Sequence, residues 1–154
     1  MRRTLLICLL LLSGCAKSKP PASESTPMAG MATISLAEVA GTWEGTVTAA
    51  GSDTVLTNLE LIATSDSTGW TMKVTNAKNA KLTTVAPITS VVAQGDSVIV
   101  EAGPFKSVLR AGQQVSTHTV YRLQDGKLVG TIQATYPASG ETINLHSVAT
   151  RKAG

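Results

Sequence analysis

From Gly41 onward, apolar and polar residues exchange places at every second position, and this period of two limits the fold more than any other feature of the chain. Trp43, Gly45, Val47 and Ala49 share one face, with Thr42, Glu44, Thr46 and Thr48 on the other. Val55, Leu59, Leu61 and Ala63 then oppose Asn58, Glu60 and Thr64, and Trp70, Met72 and Val74 oppose Thr71, Lys73 and Thr75. Val98, Val100 and Ala102 continue the pattern, followed by a short segment at 105–110 and runs at 114–124, 127–136 and 141–152. A period of two belongs to strands with one face buried. Turn-forming residues separate the runs at 51–53, 66–69, 95–96, 125–126 and 137–140. The stretch 81–94 is less regular and is expected to break at Pro87. No helix-length segment is present to carry a parallel crossover. The expectation is an all-β fold, an antiparallel up-and-down meander of eight to ten strands.

Two turns are short enough to set register. A two-residue Asp125-Gly126 loop pairs Leu123 with Leu128 and Tyr121 with Gly130. A four-residue loop at 137–140 pairs Tyr136 with Glu141 and hence Ile132 with Leu145. Both hairpins then agree on the apolar face, with inward rows Leu123–Leu128–Ala149, Tyr121–Gly130–Ser147 and Thr119–Ile132–Leu145. An aromatic ring laid across a glycine marks a point where a sheet bends sharply. A bent meander of this strand count closes most readily into a small barrel.

Just before the first strand, Ser35 and Glu38 have capping-box spacing, and Ile34 and Val39 sit at the staple positions of one short helix that Gly41 stops. The following Gly41-Thr42-Trp43 resembles the G-x-W entry of lipocalin and calycin barrels. That resemblance implies that Trp43 packs at the closed end of the barrel under an arginine of the last strand, for which Arg151 has the right parity. With Gly45, Ala49, Ala63, Ala102, Gly130, Ala134 and Ala149 facing inward, a small barrel either closes tightly or leaves an apolar pocket for a small hydrophobic molecule, and the expected lining of such a pocket is Trp70, Met72, Tyr121 and Ile132.

The N-terminus carries a different signal. Met1-Arg2-Arg3 precedes an apolar run from Leu5 to Leu12, far short of the ~20 residues of a membrane-spanning helix and fitting a secretory signal. Leu12-Ser13-Gly14-Cys15 resembles a bacterial lipobox. The resemblance implies cleavage between Gly14 and Cys15 by the lipoprotein-processing machinery, a diacylglycerol thioether on Cys15, and acylation of its new amine, for instance by palmitate. Two or more chains anchor stably where one binds marginally. Ala16 after the cysteine favours the outer membrane, facing the periplasm, in a Gram-negative host. Residues 15–33, rich in Pro, Ser and small side chains, read as a tether, leaving 34–154 as the barrel domain after a signal peptide at 1–14.

The chain's formal charge of +3 shrinks once the signal is removed: Arg2 and Arg3 leave with it, and 11 basic residues remain against 10 acidic ones. Cys8 also leaves, so the two cysteines do not form a disulfide. Basic residues are scattered and the aromatics follow the apolar face, which argues against nucleic-acid binding. The two histidines, His118 and His146, fall on the outward face roughly 11 Å apart, too far for one zinc ion. No phosphate-binding glycine loop and no nucleophile–histidine–acid set is present. No cofactor, metal or catalytic residue is expected. The expected role is non-catalytic binding of a small hydrophobic molecule by a lipid-anchored envelope protein. The alternative is an interaction or structural module acting through an exposed barrel surface, because Val92 and Ile99 place apolar residues on the outer face of a hairpin whose inner face carries Val91 and Val100.

Overall fold

A computed structural model describes residues 33–153. Helix α1 spans Leu36–Val39. Nine strands follow: β1 (Gly41–Ala49), β2 (Val55–Ala63), β3 (Thr71–Asn76), β4 (Thr83–Ala86), β5 (Ile88–Gln94), β6 (Ser97–Lys106), β7 (Gln114–Gln124), β8 (Lys127–Tyr136) and β9 (Glu141–Arg151). All pairings are antiparallel, and β1 pairs with β9, so the first and last strands meet. The order is β4-β3-β2-β1-β9-β8-β7-β6-β5.

The two end strands, β4 and β5, are one strand interrupted at Pro87: β4 pairs with β3 and β5 with β6. Proline has no N–H to give a ladder and bends the strand there. Its carbonyl still accepts a hydrogen bond from Gly103 N at 2.8 Å. The circle of strands therefore closes through the chain itself, and the nearly closed barrel has eight effective staves.

The hairpin registers follow the turns. Asp125 and Gly126 both take left-handed backbone (φ 50° and 73°), the conformation whose twist matches the flanking strands. Leu123 pairs with Leu128, Tyr121 with Gly130 and Ile132 with Leu145, as the loop lengths predict. One member of the inward rows departs from expectation. Leu123 is 39% exposed although its partner Leu128 is buried, because it lies at the hairpin end, where the barrel wall has no opposite side.

Two glycines are needed for close approach. A Cβ on Gly45 would lie 2.2 Å from Val148 O and 2.6 Å from Ala149 Cα, at the β1–β9 seam. A Cβ on Gly130 would lie 2.4 Å from Ser147 Oγ and 2.7 Å from the Tyr121 ring. The Tyr121 ring thus covers the backbone of Gly130, and this stacking fills the middle of the barrel.

Helix α1 plugs the lower end. Ser35 N donates to Glu38 Oε2 at 2.6 Å, and this bond, with a second from the Ser35 hydroxyl, holds the Glu38 carboxyl below the usual range. A four-residue helix satisfies almost none of its own carbonyls. Here, side chains from the barrel take them: Trp43 Nε1 donates to Val39 O at 2.8 Å, and Arg151 donates to Glu38 O at 2.8 Å and to Ala40 O. The Arg151 guanidinium also lies 4.5 Å from the ring centroid of fully buried Trp43. Ile34 N binds Gly95 O at 2.8 Å, fastening the entering chain to the β5–β6 turn.

Candidate functional site

The upper end of the barrel is built differently. Strand β6 stops at Lys106, and residues 107–113 fold across the opening before β7 begins. Local bonds shape this cover: Ser107 Oγ accepts from Leu109 N and Arg110 N at 3.2 and 3.0 Å, and Ser107 N donates to Gln113 O at 2.9 Å. The turn directs Val108 and Leu109 into the barrel opening, where both line an internal cavity. The sequence pattern predicts a short strand over 105–110. Phe105 and Lys106 belong to β6, but from Ser107 the hydroxyl captures the backbone donors a ladder would need.

Three contacts fasten the cover to the barrel rim. Asn76 Nδ2, at the end of β3, donates to Val108 O at 2.8 Å. The hydroxyls of Ser107 and Tyr136 lie 3.3 Å apart. Arg110 grips Glu141 with two bonds of 2.7 and 2.6 Å while its guanidinium lies 4.1 Å from the Tyr136 ring centroid. That pairing holds the Glu141 carboxyl below its ordinary range and raises Arg110.

Beneath the cover is a cavity of ≈ 60 Å³. That is space for roughly four to six waters, and well under the ~300 Å³ at which drug-sized pockets begin. Its wall is mostly aliphatic and aromatic, from residues such as Val47, Leu59, Phe105, Val115 and Leu145, and none of its lining residues carries a charge. Of the residues the alternation nominates as lining, Met72, Tyr121 and Ile132 are on this wall. Trp70 is not: its indole N–H donates to Asp66 O at 2.7 Å, which draws the ring into the β2–β3 turn at the other end of β3. The cover residues Val108 and Leu109, with Phe105 and Tyr136, complete the wall, and nothing periodic in the sequence marks the first two.

Polar groups inside the barrel are few, and some are unsatisfied. Tyr121 Oη, Thr117 Oγ1 and Ser147 Oγ are buried without a hydrogen-bond partner. Burial pushes the Tyr121 hydroxyl far above the usual phenol range, and the nearby Ser147 hydroxyl opposes only part of that rise, being outside good hydrogen-bond geometry.

On the outer wall, His118 Nδ1 meets Glu101 Oε1 at 2.5 Å across β6 and β7. His146, on β9 two strands from His118, pairs with Thr131 of the adjacent β8. Among the described residues, His118 makes no bond to a hydroxyl, and no group of three or more metal-binding side chains comes together. Glu44 and Glu60 likewise face outward and pair with Lys152 and Lys73. Trp43 and Arg151 close the end opposite the cavity. Gly14 and Cys15 lie outside the described residues. No family model, curated protein or solved structure matches the chain.

Proposed function

We propose that this is a lipid-anchored envelope protein whose lipocalin-like barrel binds a small, mainly apolar molecule without transforming it. One observation carries the reading: an uncharged, largely apolar cavity lies under a cover held to the rim mainly by side-chain contacts. Such a cover can lift at modest cost, since exposed ion pairs contribute little in water. The guest held with the cover closed is only a few heavy atoms long; a longer one requires residues 107–113 to move. The anchor rests on Leu12-Ser13-Gly14-Cys15, with Ala16 pointing to the outer membrane in a cell that has one. Residue 33, where the tether joins, is at the plugged end, so the cavity opens at the end remote from the attachment point.

Organic extraction of the purified protein tests the binding. The expected result is a neutral small molecule at near-stoichiometric amount. An empty extract, combined with NMR spectra unmoved by xenon, refutes it. For the anchor, Cys15→Ala is expected to abolish acylation by mass spectrometry and to release the protein from membranes; an unmodified Cys15 thiol in the wild type refutes it.

A second reading has its own observation. Val92 is 49% exposed on the outer face of β5, beside Ile99, and β5 has a hydrogen-bonded neighbour on one side only. An apolar residue on an open strand edge suits an interaction module. In situ cross-linking through position 92 tests this: a specific adduct lost in Val92→Lys supports it, and the absence of any adduct counts against it.

A further inference from the structure

The cavity has one feature that a purely apolar guest leaves unexplained. Tyr121 is 1% exposed, lies on the cavity wall, and presents a hydroxyl with no partner. Thr117, four residues earlier on the same inward face of β7, also lines this cavity and carries a second unpartnered hydroxyl. Buried hydroxyls left unpaired are destabilising, and native structures satisfy nearly all of them with protein, water or ligand. Apolar side chains of the same shape would fill these positions without that cost. The Tyr121 ring lies against Gly130, and the nearby Ser147 hydroxyl sits outside good hydrogen-bond geometry.

The absence of charge on the wall sets a second condition. None of the cavity-lining residues is Lys, Arg, His, Asp or Glu. An ionised ligand group there would lose its hydration without gaining a counter-ion, which is prohibitive. Burial also keeps the Tyr121 phenol protonated, so it acts as a donor toward a ligand acceptor.

Resting on the binding reading above, we infer that the barrel selects a short neutral amphiphile, an alcohol or carbonyl compound, whose single polar group meets the hydroxyl of Tyr121 while its hydrocarbon part packs under the cover. A carboxylate of the same length is rejected. In the guest-free protein a water takes the polar group's place, and the ligand's oxygen replaces it.

The test uses isotope-labelled protein titrated in separate NMR experiments with xenon, 1-butanol and butyrate at pH 8. In the wild type, xenon and 1-butanol are expected to shift amides of β7 and β8 around the cavity, and butyrate to bind at least tenfold more weakly than 1-butanol. Tyr121→Phe keeps the ring over Gly130 and is expected to bind xenon unchanged but 1-butanol about fivefold more weakly, the loss of one neutral hydrogen bond. Thr117→Val reads the second hydroxyl independently, with the same xenon control. If neither xenon nor 1-butanol binds the wild type, the binding reading itself falls. If both bind, the inference alone is overturned either by wild-type affinity for 1-butanol in Tyr121→Phe or by butyrate binding as well as 1-butanol.

Discussion

Gly130→Ala tests the link between the barrel's curvature and its cavity. The added Cβ would lie 2.4 Å from Ser147 Oγ and 2.7 and 2.8 Å from two Tyr121 ring carbons. Carbon–carbon contacts settle near ~3.5–4.0 Å, so the ring must withdraw by roughly 1 Å. Ser147 Oγ is a side-chain tip and can rotate aside. The Tyr121 ring has no such freedom: it is fully buried, and the space into which it can move is the cavity. Overpacking of this kind costs about 1–3 kcal/mol, and ~2 kcal/mol is expected here. Urea denaturation followed by tryptophan fluorescence measures it. The cause is isolated by a double-mutant cycle with Tyr121→Leu, which removes the ring and its clash. In that background Gly130→Ala should cost at least ~1 kcal/mol less than in the wild type. A cost below ~0.5 kcal/mol in the wild type, or the same cost in both backgrounds, would show that Tyr121 is not wedged against Gly130.

Arg151→Met removes the guanidinium from Trp43 and from the carbonyls of Glu38 and Ala40. The cation–π contact alone is worth about 0.5–2 kcal/mol, and amide exchange should accelerate first in α1 rather than at the cavity end. Equal exchange at both ends would contradict the assignment of Arg151 to the lower plug. Glu141→Gln weakens the grip of Arg110 on the cover, and hydrogen exchange over 107–113 should rise while that of the strands stays unchanged. The same contact fixes a pH dependence. Because Arg110 depresses the Glu141 carboxyl in the folded state, the stabilisation is complete above the ordinary glutamate value and fades as the pH falls through the depressed one. Protection over 107–113, taken relative to the intrinsic exchange rate at each pH, should therefore fall on acidification in the wild type but stay flat in Glu141→Gln. A wild-type cover indifferent to acid would exclude the Arg110–Glu141 pair as its fastening.

The strand content, the inward face and the hairpin registers are all legible in the sequence, because each depends on neighbours a few residues apart. A two-residue turn leaves only one way to pair Leu123 with Leu128, and alternation then dictates every side chain up to Thr117. The placement of Arg151 beside Trp43 also follows from parity, given that an antiparallel last strand ends where the first begins. Pro87 announced the break between β4 and β5, though not that the barrel closes through it. The cover was hidden for a physical reason. Residues 107–113 have no period, and their fastenings reach 29 to 32 residues along the chain to Tyr136, Glu141 and Asn76. Trp70 shows the converse: its parity pointed inward, but the nearby Asp66 carbonyl claimed its N–H. Local pattern specifies which face of a strand is buried. Whether the enclosed space is filled or hollow, and which hydroxyls in it go unpaired, depends on how eight staves and a seven-residue cover meet in three dimensions, and no short-range rule encodes that.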